Sequence, residues 1–161
     1  MGGASMTNQL EALEDWAAGL LGQLEPLARN RLARSLGQAL RRSQQQRIMS
    51  QCNPEGSKYV PRQQRNLRVK QGRVKREVQM FQKLRTTRFL RVRGDDNAAS
   101  VGFTGRIARI ARVHQYGLKD RAETIAPPVR YNKRKLIGLT HTDIVIVRDK
   151  LLTHLSNETA A

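Results

Sequence analysis

The sequence predicts an α+β fold: an N-terminal helix pair, a long basic loop or arm, then an antiparallel β-hairpin sheet packed with a central helix and a C-terminal helix. Three observations predict it. Apolar residues recur at steps of three and four near both ends of the chain, as on one face of a helix. Short alternating segments flank the turn sequence 94–97. Residues 58–75, before this hairpin, are basic and polar with isolated apolar positions.

The N-terminal part predicts two helices. The first covers residues 8–24, with Thr7 as a candidate cap and acidic residues in its early turns. Pro26 suits the first turn of a second helix that continues to about Ile48. The sequence Asn-Pro-Glu-Gly at 53–56 has the composition of a turn and ends this second helix.

The middle of the chain predicts a short helix and a hairpin. Val78, Phe81 and Leu84 are spaced by three residues and favour an amphipathic helix over 75–85. The hairpin strands are expected at 88–93 and 99–104, where apolar residues alternate with polar ones.

The C-terminal third predicts two helices and an edge strand. Residues 106–113 repeat with a period of three, so a helix is favoured, with Ile107 and Ile110 in the core and Gly117 at the C-terminal end. An edge strand is expected at 129–131, because two prolines precede it. Thr140 and Asp143 resemble a capping box that opens the last helix.

The length of 161 residues fits a single domain over 1–161. Within it we expect a flexible start at 1–6, an extended basic arm at 58–75 and a frayed tail at 157–161. No apolar run approaches the roughly 20 residues of a membrane-spanning helix. The lone Cys52 excludes an internal disulfide and fits a reducing compartment.

Charge is distributed unevenly along the chain. The net charge is +17, from 30 Lys and Arg against 13 Asp and Glu. Residues 1–28 contain four acids and no base, whereas 58–93 contain thirteen bases and one acid. Such asymmetry predicts a segment that binds a polyanion or an acidic partner.

The basic segment allows three interpretations. It can contact the backbone of DNA without reading sequence, because no zinc-finger, RNP or zipper motif accompanies it. It can be a solvated arm. It can also dock on the acidic face of a neighbouring copy, formed by Glu11, Glu14 and Asp15, and such a heterologous contact makes a ring if it closes.

Catalytic and metal-binding patterns are missing from the sequence. The three histidines are scattered, and none stands in a zinc-binding spacing. Nothing places a histidine beside Cys52, and Asp95 and Asp96 have the composition of solvated turn residues. We therefore expect no enzyme, no cofactor and no metal.

Several stretches, in this order and spacing, resemble the phage virion morphogenesis family. The match runs from Met6 to Leu155, and its longest piece is VGFTGRIARIARVHQYGL at 101–118. The other pieces are 10–16, 41–47, 53–56, 80–85 and 136–139.

The resemblance implies a virion protein that completes the head-proximal end of the tail of a contractile-tailed temperate phage and prepares it for head–tail joining. It implies a homo-oligomer, with a hexameric ring around the DNA channel as the natural expectation. The implied partners are other tail proteins (tube or terminator) and head completion or connector proteins, with no membrane. The implied location is the virion, after assembly in the host cytoplasm. The alternative is a nonspecific nucleic-acid-binding protein acting through 58–93.

Two sets of candidate contact residues follow from these interpretations. His114 and Tyr116 are either a helix cap with a core histidine or a subunit contact, and Trp16 is either a core anchor or a hot spot. The subunit-interface candidates are Glu11, Asp15, Trp16, Arg109, His114, Tyr116 and, on the resemblance alone, Arg134, Leu136 and Ile137. The candidates for contact with DNA or an acidic partner are Arg62, Arg65, Arg68, Lys70, Arg73, Lys75 and Arg76.

Overall fold

The computed structural model describes residues 8, 11–15, 18, 21–22, 24–62, 79–121 and 127–159. The described residues between 8 and 21 are helical, and we call them α1. The other elements, in chain order, are α2 (Pro26–Met49), β1 (Leu90–Gly94), β2 (Ala99–Phe103), α3 (Arg106–Tyr116), β3 (Lys119–Asp120), β4 (Val129–Arg130) and α4 (His141–Thr159). This arrangement confirms the predicted α+β class.

The β-hairpin packs on α2. β1 and β2 pair antiparallel, with Leu90 opposite Phe103 and Val92 opposite Val101. Gly37 of α2 lets the hairpin approach closely, because a Cβ at that position would lie 2.4 Å from Cγ1 of Val92. The predicted hairpin and its turn are confirmed, and Asp95 stabilises the turn by accepting hydrogen bonds from the backbone N–H groups of Asn97 and Ala98.

Two apolar clusters form the core. One joins Leu32 of α2 to Leu151 of α4, with Leu13 and Leu21 of α1 packed against them. The other lies under the hairpin and α3 and consists of Ile48, Tyr59, Met80, Phe81, Leu84, Ala111 and Leu136. The predicted helix pair, central helix and C-terminal helix therefore all contribute to burial.

The predicted helix at 75–85 is wrong in its described part. Residues 80–89 form a succession of turns and a bend, and Phe81 has a left-handed φ of 65°. The side chain of Gln51 fixes this geometry, since it accepts a hydrogen bond from the N–H of Met80 and donates one to its carbonyl, both at 2.9 Å. Residues 75–78 lie outside the described part of the chain.

The start of the predicted arm belongs to the folded part of the chain. Tyr59 is buried, and its backbone N–H donates to the carbonyl of Gln51 at 2.7 Å. Its hydroxyl donates to the carbonyl of Lys135. The extended arm predicted at 58–75 therefore cannot begin before about residue 62, and residues 63–75 lie outside the described ones.

The remaining expectations have mixed outcomes. The edge strand is present as β4, and it pairs with β3, a strand that the sequence did not predict. The capping box is confirmed: Thr140 N–H donates to Oδ2 of Asp143, and Asp143 N–H donates to Oγ1 of Thr140. Ile110, expected in the core, is 46% exposed, so that expectation is wrong. Residues 157–159 are helical; fraying of the tail stays a prediction, and the start at 1–6 lies outside the described residues.

Candidate assembly surface

Two glycines set the ends of α3. Gly105 precedes the helix with φ of 70°, and Gly117 follows it in the left-handed region with φ of 67° and ψ of 44°. The N–H of Leu118 then donates to the carbonyl of Val113 at 2.9 Å, which closes the helix as predicted. A Cβ at Gly117 would lie 3.2 Å from the backbone N of Lys133, so glycine also allows residues 131–139 to pass close by.

We call residues 131–139 the connector, and the end of α3 holds one side of it. Oε1 of Gln115 accepts hydrogen bonds from the N–H groups of Leu136 and Ile137, at 2.7 and 3.0 Å. Nε2 of the same side chain donates to the carbonyl of Ile137 at 2.7 Å. The side chain of Gln115 thus supplies hydrogen-bond partners for three backbone groups of the connector, which are paired in the way that a neighbouring β-strand would pair them.

The end of α2 holds the other side of the connector. Arg47 donates to the carbonyls of Lys135 and Leu136, at 3.0 and 3.1 Å, and also bonds to Oε1 of Gln44. That same oxygen of Gln44 accepts the N–H of Gly138. Burial lowers the pKa of Arg47 below its ordinary value, with Tyr59, Asp143 and other groups opposing this effect. Its carbonyl partners compensate the buried charge.

Arg134 and His114 join the connector to the start of the basic segment. Arg134 is 4% exposed, and its guanidinium donates to the carbonyls of Val60 and Pro61, at 2.7 and 3.0 Å. Nη1 of Arg134 lies 3.2 Å from Nδ1 of His114. These contacts fix the position of the backbone immediately before Arg62.

The ring of His114 lies between two aromatic rings. Its centroid is 4.9 Å from that of Phe81 and 5.1 Å from that of Tyr131, both in edge-to-face geometry. Burial first, and then the charges of Arg134 and Arg62, lower the pKa of His114 to about 4. The imidazole is therefore neutral near pH 7 and serves as a packed side chain beside Arg134.

The solvent-facing ridge of α3 combines charge with an aromatic ring. Arg109, Arg112 and Tyr116 are all exposed and follow one another at steps of three and four, which places them on one side of the helix. Tyr116 is 62% exposed. Arg109 pairs with Asp120 of β3, and this ion pair links the helix to that strand. We call these three residues the α3 ridge.

An apolar groove of about 350 Å³ runs beside the α3 ridge. Its walls come from β2, α3 and the connector, so it depends on the hydrogen bonds just described. It is lined by Phe103, Ala108, Ala111, Arg112, Gln115, Tyr116 and Ile137. Tyrosine and arginine beside an apolar depression are the composition of an interface hot spot.

The structure separates the predicted interface residues into exposed and buried ones. Glu11, Asp15, Arg109 and Tyr116 are exposed, and Ile137 lines the groove. Trp16 lies outside the described residues. Of the candidates for contact with DNA, only Arg62 is described, and it is exposed. The other six lie at 65–76, outside the described part.

Three predicted interface residues have contacts within this chain. Leu136 is fully buried in the core, and Arg134 is occupied by the carbonyls of residues 60 and 61. In this chain these two residues support the groove from inside, and their contact with a neighbouring copy stays a prediction. His114 is half-buried between two rings, a position that suits the core-histidine interpretation, and its role in a subunit contact is equally untested.

Sequence reasoning missed the polar residues that build the site. Gln44, Arg47 and Gln115 each bond to backbone groups at least 21 residues away in sequence. The available signal was a polar side chain on the apolar side of a helix: Gln44 is 2% exposed and lies one turn before buried Ile48.

The described residues contain no group of three or more His, Cys, Asp or Glu side chains able to hold a metal ion. The thiol of Cys52 donates to the carbonyl of Ser50. In the same part of the chain, no helix has the length and apolar character needed to cross a membrane.

Known proteins are similar to this chain over most of its length. Residues 8–156 match the model of the phage virion morphogenesis family. The chain is similar to tail completion protein S of Escherichia phage P2, with 42% identity over 149 residues, which cover 92% of this chain and 98% of that protein. No solved structure matches it significantly.

Proposed function

Because this chain belongs to the phage virion morphogenesis family, we propose that it is a structural virion protein that completes the head-proximal end of a phage tail and prepares it for head–tail joining. The observation that carries the proposal is the 42% identity to a tail completion protein over 98% of that protein's length. A match of this extent covers α1 to α4, so it includes both the core and the α3 ridge.

The proposed action is assembly and not catalysis. The polar side chains of the site bond to backbone groups of the connector and leave no nucleophile paired with a base among them. Their effect is to hold a groove and a ridge in one geometry. A preformed surface of this kind lowers the entropic cost of association, because few side chains need ordering when a partner arrives.

We further propose that the chain forms a homo-oligomer, with a hexameric ring as the expected state. Charge complementarity supports a head-to-tail contact: Glu11, Glu14 and Asp15 form an exposed acidic face on α1, while exposed Arg112 lies one turn before Tyr116 on α3. Arg109, one turn further back, is also exposed and pairs with Asp120 in this chain. The contact joins different surfaces of the two copies, so repeating it generates a ring when the rotation closes.

The basic segment is proposed to face the DNA channel of such a ring. Arg134 fixes the backbone up to Pro61, and Arg62 is the first exposed base beyond this anchor. Positive charge at this place would offset phosphate repulsion without reading bases. The proposed further partners are tube or terminator proteins of the tail and the head completion or connector proteins.

Complementation of a tail-completion-deficient phage tests the function. A related phage that lacks its own tail completion protein is grown in cells that produce this chain from a plasmid. We expect infectious particles to reappear and the chain to be found in purified tails. Normal synthesis of folded protein with no gain in infectious particles, and none of the chain in particles, would contradict the proposal.

Charge reversal tests the head-to-tail contact separately. Changing Glu11, Glu14 and Asp15 to Lys, or Arg109 and Arg112 to Glu, should reduce the mass measured by light scattering towards that of one chain. Combining both sets should restore the larger mass, because the charges are complementary again. Oligomers of unchanged mass in all three variants would exclude this contact while leaving the role in tails intact.

A further inference from the structure

We propose that the outward face of the β1–β2 hairpin is a phosphate-binding surface that contacts the backbone of duplex DNA. The proposal deepens the contact with DNA suggested above, and it concerns a surface separate from residues 62–76. It does not depend on the formation of a ring, since a single chain carries the whole surface.

The register of the hairpin places two arginines on this face. Leu90 and Val92 point towards the core, since Leu90 is fully buried and Val92 packs against Gly37 of α2. Side chains alternate along a strand, so Arg91 and Arg93 point to the opposite side, and both are exposed. They lie roughly 6.7 Å apart along β1, so each guanidinium can meet a separate phosphate group.

The facing positions on β2 are small. Gly102 is opposite Arg91, and Ser100 is opposite Arg93. No heavy atom lies within 4 Å of the position that a Cβ at Gly102 would occupy. A ligand can therefore approach the strand backbone closely between the two arginines.

The polar groups of this face are mainly hydrogen-bond donors to an anion. The guanidinium groups of Arg91 and Arg93 donate only, and the hydroxyls of Ser100 and Thr104 can donate as well. Arg91 is held in place by a bond from its Nε to the carbonyl of Arg88, at 3.2 Å. Among the described residues, none of the ion pairs involves an arginine of the hairpin.

The two acids at the tip of the hairpin bond within their own turn. Asp95 accepts the N–H groups of Asn97 and Ala98, at 2.9 and 2.8 Å, through the same oxygen, and Asp96 accepts the side-chain amide of Asn97 at 3.3 Å. Among the described residues, neither acid forms an ion pair with Arg91 or Arg93. The two guanidinium groups are therefore available to an external anion.

The size of the groove favours a phosphate group over a larger ligand. The groove has a volume of about 200 Å³ and is lined by hairpin residues alone, including Arg91, Arg93, Ser100, Gly102 and Thr104. Pockets for drug-sized molecules are about 300–1,000 Å³. Arginine forks match phosphate oxygens in a bidentate way, which suits a repeating phosphodiester.

The same face lacks what base recognition needs. Phe103, the one aromatic residue in the two strands, packs against the core cluster and also borders this groove. One partly buried ring does not make a platform on which successive single-stranded bases can stack. Contact with the DNA backbone, independent of sequence, is the mode that fits this surface.

Paired double variants test the proposal. Arg91→Gln with Arg93→Gln removes the charge of the face, and Arg31→Gln with Arg42→Gln removes the same charge from exposed positions on α2. Binding of a fluorescent duplex of about 20 base pairs is followed by anisotropy over a series of NaCl concentrations. We expect the hairpin variant to lose about tenfold in affinity and its salt slope to fall by about 1.8, which corresponds to two phosphate contacts. The α2 variant should change much less.

A third variant tests the geometry. Ser100→Glu places a carboxylate opposite Arg93 and should cause a similar loss of DNA affinity, while the circular dichroism spectrum stays that of the wild type.

Equal losses of DNA affinity in both double variants, or no loss in the hairpin variant, would overturn the proposal. So would a hairpin variant that keeps its DNA affinity but no longer binds a polyglutamate peptide, since the face would then serve an acidic protein. The mass by light scattering, read on the same samples, reports separately on the oligomer.

Discussion

Four polar side chains hold the connector by hydrogen bonds to its backbone. Arg47 donates to carbonyls of the connector, Gln44 and Asn53 accept its N–H groups, and Gln115 does both. Buried backbone groups must find partners, because an unpaired one costs about as much free energy as a lost hydrogen bond. These residues therefore determine the shape of the connector, and through it one wall of the groove.

Replacement of Arg47 by Met should lower the free energy of unfolding by about 2–4 kcal/mol. The change keeps much of the apolar stem but leaves the carbonyls of Lys135 and Leu136 without their charged donor. Urea denaturation followed by circular dichroism measures the difference. Arg42→Met is the matched control, since Arg42 is exposed on the same helix and should change stability by no more than about 0.5 kcal/mol. Equal effects of the two changes would show that the Arg47 contacts are unimportant.

His114 should make stability depend on pH. Its pKa is about 4 in the folded chain against an ordinary value of 6.5, so the unfolded chain binds a proton first as pH falls. Its stabilising contribution is present above pH 6.5 and is lost as pH falls from 6.5 to 4. We expect this loss to be about 1–2 kcal/mol, a value reduced for the partial exposure of the ring.

Comparison with His114→Phe isolates this effect. Phenylalanine keeps the edge-to-face contacts with Phe81 and Tyr131 but does not titrate. The difference in unfolding free energy between the two proteins, measured by urea denaturation from about pH 7 to about pH 4, should shift in favour of the variant. A difference that stays constant over this range would mean that His114 does not titrate as described.

At the scale of elements, the close approach of the hairpin to α2 depends on Gly37. This glycine lies inside a helix, where it is intrinsically less favourable than alanine by about 1 kcal/mol. Its presence is explained by Val92, whose Cγ1 occupies the space that a side chain at Gly37 would need. Packing between elements outweighs helix propensity at this position.

Gly37→Ala should therefore destabilise the chain by about 1–2 kcal/mol, despite the better helix propensity of alanine. The added methyl group forces the hairpin away from α2. Combining it with Val92→Ala should recover part of the loss, so a double-mutant cycle should show favourable coupling between the two positions. Thermal and urea unfolding measure all four proteins. A more stable Gly37→Ala variant, or no coupling, would contradict this packing.

The elements that the sequence predicted correctly are those with local signals. Pro26, Gly117 and the capping box of Thr140 and Asp143 begin or end helices by chemistry within a few residues, and the structure has these boundaries. The error at 75–85 arose because spacing by three fits a turn as well as a helix, and a distant residue, Gln51, decides between them. The pairing of β3 with β4 is equally non-local.

The same reason explains what could be predicted of the candidate site. The structure shows Tyr116 and Arg109 exposed on α3, as a subunit contact requires, and that contact stays a prediction. The burial of Arg134 could not be predicted, because it depends on contacts with residues 60, 61 and 114. Leu136 is likewise buried by residues that are distant in sequence. Local pattern identifies surfaces, whereas the interior that supports them depends on distant contacts.

At the scale of the whole molecule, two apolar clusters form the core, and acidic and basic side chains lie on different parts of the surface. The acidic residues of α1 and the arginines of α3 and the hairpin lie on different elements. Such an arrangement suits the proposed contacts between copies and with a polyanion. The proposed role in the tail uses both features.

Tyr116→Ala tests whether the chain acts by assembly through α3. The side chain is 62% exposed, so its loss should change the thermal midpoint little. The measurement is the amount of the chain in purified tails, by quantitative immunoblot, with Leu27→Ala as control because Leu27 is an exposed apolar residue on α2. We predict that folded Tyr116→Ala protein is depleted at least tenfold from tails while Leu27→Ala is incorporated as the wild type is. Incorporation of Tyr116→Ala at the wild-type level would contradict the account.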